Sequence, residues 1–384
     1  MARVDLVAAR TTEADPVRAA DELARALDVD ALPPKLLIFF ASRGRDHVAL
    51  NEALRRRMPG TRLVGASCAR QIDAAGQHTG SIVASALRGD VEVGLGAACR
   101  LGVEPVRAGT EAMLAACRDL GVTPDDLSKR HVGMVITDGY GGRKEELLLG
   151  ATEPNPALIL VGGGACDESL TDPSSVIHVD DRVLGDAAVI VVFETDARWA
   201  ALRSHWYEPT GRRVTITKVD ASCVRALEID GQPAAQRYAD LLGIQPDELT
   251  FGTARGFARS PTGILVGREY FLRSPHMPLA DGSILFANLL EEGMELELME
   301  ANELVGSTAR FLTEDVPSRV GKPTAGLLFS CGGRRWFTDA VGQTEALSQT
   351  FGAAPWAVGM ESWYEIYCGF TLNATLSALV FGEG

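Results

Sequence analysis

Short apolar runs alternate with amphipathic stretches along this chain, and glycines sit where the runs stop. The run KLLIFFAS (35–42) reads as a buried strand. RDHVALNEALRRRM (45–58) has apolar residues at helical spacing and predicts an amphipathic helix. TRLVGASC (61–68) predicts a strand running into small residues. Upstream, segment 15–30 has the helical period, with Asp15 placed as N-cap and Pro16 at the first helical position, and Pro33-Pro34 ends it.

The same order of elements then returns. HVGMVITDGYGG (131–142) predicts a strand ending in glycines, RKEELLLGA a helix, and ALILVGGGACDE (157–168) the next strand. Near the C-terminus TAGLLFSCGGRR (324–335) is followed by a helix across 336–350 and by WAVGMESWYE (356–365). VGASCARQ, VGGGACDE and VGMESWYE thus occupy equivalent places, each beginning Val-Gly at a strand end. GSIVASALRGDVEVGLG (80–96) resembles GSILFANLLEEGMELELM (282–299), as paired strands joined by a charged turn, and DAAVIVVFETDARWAALRS (186–204) has the same shape. The pattern predicts an α/β protein of two related domains, 1–205 and 206–384. Each would have mixed β-sheets flanked by helices, built from duplicated strand-helix-strand-hairpin units.

Gly162-Gly163-Gly164 invites a nucleotide reading. It fails on spacing, because Asp167 stands where the third glycine of G-x-G-x-x-G belongs and no Lys-Ser or Lys-Thr follows. The glycines are expected instead to let a strand end turn sharply beside another backbone.

At 384 residues with 40 glycines and a net charge of −14, the chain has core enough for two domains. Its acidity argues against nucleic-acid or anionic-membrane partners. Seven cysteines without C-x-x-C spacing argue against a disulfide framework or structural zinc and for a reducing, cytoplasmic setting. No secretory leader and no membrane-spanning run is predicted.

Candidate chemistry collects at the strand ends. Cys331 to Arg335 reads either as a pocket loop, with a guanidinium offered to a carboxylate, or as a turn with solvated arginines. Ser362 and Glu365 could meet a ligand's carboxylate and amine, with Trp363 and Tyr364 as an apolar wall, or could simply build a capped turn. Asn373 and Thr375 could line the same cavity or bond nearby backbone. Arg273, closing ILVGREYFLR (264–273), could meet a carboxylate or lie at the surface. His205, beside Trp206 and Tyr207 at the domain junction, could ligate haem iron or pack in a loop, and His276 between prolines is a weaker candidate. No G-x-S-x-G is present, Cys331 has no identifiable histidine partner, and Asp138 and Asp167 read as turn formers. The chain is therefore read as a non-enzyme.

These segments resemble the FIST proteins, bacterial sensory proteins with an N-terminal and a C-terminal FIST domain. VGASCARQIDAAG is similar to the family's G-x-S-T-x-G-E-I phrase, with Cys68 for Thr and Arg70-Gln71 for Gly-Glu. RALEIDGQPAA, FSCGGRR, GMESWYEIY and NAT (373–375) resemble later family phrases, with Tyr364 where glycine is usual. Within the cysteine loop the family's C-x-x-R spacing favours Arg334 over Arg335. The resemblance implies a small, amino acid-like ligand and a histidine kinase or cyclic-di-GMP enzyme as partner. One branch of stand-alone two-domain members binds haem and senses nitric oxide, and the resemblance to its architecture implies haem as a second candidate. The expected ligand-binding set is Cys331, Arg334, Ser362, Tyr364, Glu365, Arg273, Asn373 and Thr375, with His205 for haem. A homodimer is possible, and an enzyme acting on a small carboxylated substrate is the remaining alternative.

Overall fold

A computed structural model describes residues 2–140, 143–168, 174–251 and 255–383. Its chain builds one strand-helix unit three times. The first unit comprises β1 (Val4–Thr11), α1 (Pro16–Ala26), β2 (Leu36–Ser42), α2 (His47–Arg57), β3 (Arg62–Cys68), the hairpin β4 (Gln71–Asp73) and β5 (Gly76–His78), and β6 (Ile82–Gly89). The second comprises β7 (Glu92–Cys99), α3 (Pro105–Leu120), β8 (His131–Asp138), α4 (Lys144–Thr152), β9 (Leu160–Ala165), the hairpin β10 (Ile177–Val179) and β11 (Arg182–Leu184), and β12 (Ala187–Glu194).

The third opens with β13 (Arg198–Ser204) and is then interrupted. The insertion carries β14 (Tyr207–Val219), β15 (Arg225–Ile229), β16 (Gln232–Pro233), α5 (Ala234–Leu242), β17 (Thr262–Val266), β18 (Glu269–Arg273), β19 (Pro275–Pro278), β20 (Ile284–Phe286) and β21 (Glu295–Ala301). These strands form a separate eight-stranded sheet. The third unit resumes with α6 (Leu304–Arg310), α7 (Val316–Val320), β22 (Lys322–Cys331), α8 (Gly332–Val341), α9 (Thr344–Thr350), β23 (Ala357–Tyr367), β24 (Phe370–Leu372) and β25 (Leu376–Glu383).

The strand orders β1-β6-β2-β3, β7-β12-β8-β9 and β13-β25-β22-β23 are the same order in three copies. In each copy the second and third strands in sequence run parallel and the other pairings are antiparallel. The copies interlock. β10 of the second unit pairs with β3 of the first, β4 of the first pairs with β23 of the third, and β9 pairs with β23.

The uninterrupted apolar runs follow from this architecture, because the inner strands of the repeated units, such as β2, β8 and β22, are covered on both faces. Leu36, Ile38 and Phe40 of β2 face a central core shared by all three units, which also takes Val132, Met134 and Ile136 of β8 and Leu327 and Phe329 of β22. Leu37, Phe39 and Ala41 face the unit's own helices α1 and α2. Among the described residues no helix is long and apolar enough to cross a membrane.

Mixed sheets flanked by helices and repeated units are what the pattern predicts, and the three Val-Gly segments do fall in the equivalent strands β3, β9 and β23, but inside them and not at their ends, since β23 runs on from Val358-Gly359 to Tyr367. Segment 186–204 is the true counterpart of 80–96. Segment 282–299 is not, since it lies in the inserted sheet. The two strands of 80–96 do not pair with each other, because β6 and β7 belong to different sheets. The expected boundary at 205 falls where the chain leaves β13 for the insertion.

Local signals held well at helix starts. Asp15 accepts the Arg18 N–H at 2.9 Å and Asp46 accepts the Ala49 N–H at 3.0 Å, each satisfying an orphan donor of the first turn. Asp15→Ala should lower the unfolding free energy by about 1 kcal/mol, measured by urea denaturation. Two boundaries differ from expectation. The helix expected across 336–350 begins at Gly332 and breaks at Gly342, whose φ of 72° ends α8. ILVGREYFLR is not one strand: Gly267, at φ 65°, and Arg268 turn β17 back into β18 as a hairpin.

Gly162 to Gly164 lie inside β9 and the chain does not turn there. Their role is close approach. A Cβ on Gly162 would stand 1.8 Å from the Val135 carbonyl oxygen of β8, and one on Gly164 2.5 Å from the Tyr364 ring.

Candidate functional site

At the carboxyl ends of β8 and β22, where the second and third units meet, the inserted sheet closes over a cavity of about 300 Å³. The second unit contributes Gly139, Tyr140, Lys144 and Glu145. The third contributes Cys331, Gly332, Gly333, Trp336, Trp363 and Asn373. The insertion contributes Phe251, Ser274, His276 and Phe286. Gly141 and Gly142, part of the expected strand-end cluster, lie outside the described residues.

The wall is aromatic. Trp363 packs at 5.4 Å from Tyr140, 5.7 Å from Trp336 and 5.9 Å from His276, measured between ring centres. Phe251 meets Trp336 edge-on at 5.3 Å and His276 at 5.9 Å. These tilted and edge-to-face arrangements are the favoured ones for aromatic pairs. Burial and the nearby Lys144 ammonium push the pKa of His276 down, so its ring serves as a neutral wall.

Three polar features break this wall. The Lys144 ammonium sits 4.6 Å above the centre of the Tyr364 ring and has no carboxylate or hydrogen-bond partner among the described residues. Burial lowers its pKa. Ser274 and Asn373, 2 % and 7 % exposed, each keep one side-chain oxygen without a partner. The Asn373 amide donates to the Trp363 carbonyl at 3.4 Å, which leaves its Oδ1 as the free acceptor. Glu145 is engaged, accepting the Thr371 hydroxyl at 2.6 Å beside the Arg273 guanidinium.

Several expected residues lie behind the cavity rather than in it. Glu365 is fully buried. It accepts the Ser362 hydroxyl at 2.8 Å and the Thr375 hydroxyl and backbone N–H at 2.7 and 3.2 Å. Burial outweighs these donors and raises its pKa to about 8. Gln71, the counterpart of Glu365 in the first unit, is a neutral side chain that accepts the Ser42 and Ser81 hydroxyls. Tyr364 fills the space against Gly164, bonds Thr137 through its hydroxyl and forms the floor beneath Lys144. Where the family phrase usually has glycine, this chain has a ring.

The structure brings Cys331 and Asn373 to the cavity and sets Arg273 beside it. It does not bring Arg334. That side chain is 1 % exposed on another face of α8, stacks 5.6 Å from the Trp206 ring centre and donates to the Thr308 hydroxyl at 2.6 Å. Nor is Arg335 free to bind a carboxylate ligand, because it forks onto Glu361 at 2.9 Å. The expectation failed because helical phase decides it. α8 begins at Gly332, one residue past the strand, and carries Trp336, not Arg334, to the cavity.

Lys144, Phe251, Ser274 and Trp336 were not among the expected residues. Lys144 had a readable signal, since a lysine at the start of a helix opposes the helix dipole and invites an anionic counterpart. Phe251 and Ser274 had none, because the docking of the insertion places them.

His205 lies elsewhere, lining one surface groove with Arg268, Arg319 and Tyr367 and another with Asn302 and Arg310. A haem-ligating imidazole binds iron through one nitrogen and donates the N–H of the other. At His205 the Tyr207 N–H donates to Nδ1 at 3.3 Å, which places the ring proton on Nε2. Burial and Arg203 lower its pKa to about 4. With Nδ1 occupied and Nε2 protonated, the ring as placed does not fit an iron ligand. Among the described residues no three His, Cys, Asp or Glu side chains converge as a metal site.

Catalytic groups are equally poorly supported. Burial and the neighbouring Glu365 push the Cys331 thiol well up, away from the reactive thiolate. Asp138 accepts the Tyr140 and Asp186 N–H groups and the Ser175 hydroxyl as a turn former, and Asp167 pairs with Arg43 at 2.8 Å.

Comparison with known proteins finds the FIST N domain over residues 35–232 and the FIST C domain over 234–368. An uncharacterised protein of Methanocaldococcus jannaschii is 30 % identical over 119 residues, a match covering 30 % of this chain and 22 % of that protein. Two solved structures are similar at low scores. A cyanuric acid hydrolase from A. caulinodans is 11 % identical, with a TM-score of 0.37 over the whole of both chains. The Thermotoga maritima phosphoribosylformylglycinamidine synthase II is 11 % identical, with a TM-score of 0.21 over 99 % of this chain and 71 % of that one. At these scores neither likeness supports a statement about this chain.

Proposed function

We propose, from the premise that this chain belongs to the FIST family of ligand-binding signalling domains, that it is a sensor whose small-molecule ligand occupies the cavity between the second unit, the third unit and the inserted sheet. The observation that carries this is the cavity's composition. Two nearly buried oxygens without partners, and the half-buried Lys144 ammonium, surround a hollow walled by rings, and leaving buried polar groups unsatisfied costs stability unless something meets them.

The mechanism follows from which segments make the walls. A molecule that touches all three bodies stabilises the arrangement in which the insertion is closed onto the units, and so shifts the population toward it. The output is a surface that differs between the two arrangements and is read by a histidine kinase or a cyclic-di-GMP enzyme in the cytoplasm. The kinase's autophosphorylation, or cyclic-di-GMP turnover, should then respond to ligand only when this protein is present.

A thermal-unfolding screen against small metabolites tests the reading. A ligand present at a hundred times its dissociation constant adds about 2.7 kcal/mol and should raise the midpoint by roughly 2–5 °C. Trp336→Ala should abolish the rise while leaving the ligand-free midpoint within about 2 °C, because Trp336 is only partly buried. A rise that survives in Trp336→Ala would place the ligand elsewhere.

A further inference from the structure

The polar groups of the cavity are not scattered among its rings; each has one unmet requirement, and together they describe a guest. Lys144 makes no ion pair or hydrogen bond among the described residues, and Glu145 acts on it through its field alone. It stands where the N-terminus of α8, at Gly332 and Gly333, also faces the cavity, so two sources of positive potential meet there. Glu145, also at the cavity, has its charge partly met already by the Thr371 hydroxyl and the nearby Arg273. Asn373 Oδ1 is an acceptor without a donor, and its amide cannot turn round without setting an oxygen against the Trp363 carbonyl. Ser274 Oγ can give or take one further bond. Between these points the walls are ring faces and edges from Phe251, Trp336, Trp363 and Tyr140. A volume of about 300 Å³ is at the small end for ligand cavities.

We propose that the cavity selects a flat aromatic carboxylate of one or two rings, with its carboxylate on Lys144 and a ring hydroxyl or ring N–H donating to Asn373 Oδ1. This rests on the sensor reading above and narrows it to one ligand class. An aliphatic acid leaves the rings unfilled. A cationic aromatic places its charge against Lys144. A neutral phenol leaves that ammonium unpaired.

Tryptophan fluorescence is the direct readout, because Trp336 and Trp363 form two of the walls. The purified protein is titrated with 4-hydroxybenzoate, benzoate, tyramine, 4-cresol and succinate. The expected result is quenching by 4-hydroxybenzoate, binding about tenfold weaker for benzoate, which lacks the donor, and no saturable response to tyramine or succinate. Lys144→Met should weaken 4-hydroxybenzoate at least about thirtyfold, and Lys144→Arg should recover part of the loss. The ligand-free unfolding midpoint of each variant reports that it is folded. If tyramine or succinate binds more tightly than 4-hydroxybenzoate, with a response lost in Trp363→Ala, the aromatic-carboxylate class is overturned while the sensor reading stands. If 4-hydroxybenzoate binds equally well to wild type and Lys144→Met, the class is likewise overturned. If no probe binds and the metabolite screen also yields nothing that depends on Trp336, both fall together.

Discussion

Gly162→Ala should destabilise the protein by at least about 3 kcal/mol in denaturant unfolding, a large effect for a one-carbon change. The reason is geometric. The added methyl would lie 1.8 Å from the Val135 carbonyl oxygen, inside the parallel pairing of β8 and β9. A flexible side chain could swing aside, but a backbone oxygen within a sheet moves only if the sheet moves. That sheet borders the central core shared by the three units, where Val161 and Met134 are packed. Gly185→Ala is the control. Nothing lies within 4 Å of its added carbon and its φ is not positive, so stability should stay within about 1 kcal/mol of wild type. If both substitutions cost the same, crowding at β9 is not what requires glycine there.

The second large effect is a pH dependence. Glu365 has its pKa raised from 4.5 to about 8 by burial. Between those values the folded state holds a proton that the unfolded state has released. Stability contributed by the neutral carboxyl is therefore complete below pH 4.5, declines as pH rises, and levels off above pH 8. At about 1.4 kcal/mol per unit, the full decline is of the order of several kcal/mol. Glu365→Gln carries no ionisable proton and should lack this component. The wild-type-minus-variant difference in unfolding free energy should then move steadily in the variant's favour from pH 4.5 to pH 8. His178 slopes the other way, since burial lowers its pKa to about 3 and so removes stability as pH falls below 6.5. The difference between the two proteins cancels that contribution. A flat difference across pH 4.5–8 would show that Glu365 ionises normally. Gln71, occupying the counterpart position and bonded by the same kinds of hydroxyl, is the neutral version that the first unit already contains.

Much of the fold could be read from local sequence because local sequence decides it. Asp15 with Pro16, and Asp46 before an amphipathic run, fix helix starts through bonds made within three residues. The buried strands announced themselves as unbroken apolar runs because a sheet covered on both faces has no polar side. The Val-Gly phrases at 64, 161 and 358 marked the three equivalent strands. Harder to see was that the third copy is split, with β13 separated from β22 by an entire sheet. That hides the repeat behind an insertion and makes 282–299 a misleading echo of 80–96.

The site was legible in part for a related reason. Cys331, Trp363 and Asn373 come from the strand ends themselves, where the repeat points. Arg334 was misplaced by two residues, which is nearly opposite faces of the helix, because the phase of α8 depends on its start at Gly332. Phe251, Ser274 and His276 reach the cavity only because a distant sheet folds back over it, and nothing in their own neighbourhoods encodes that docking. Lys144 alone carried a local clue, a cation at the wrong end of a helix dipole.

The central claim is that one small molecule is held by three bodies at once. Amide hydrogen exchange, with and without the metabolite or aromatic carboxylate that most raises the unfolding midpoint, tests it most directly. Simultaneous slowing across 143–145, 274–287 and 331–336 is the predicted result. Slowing in only one of these segments, or along the grooves beside His205, would contradict the account.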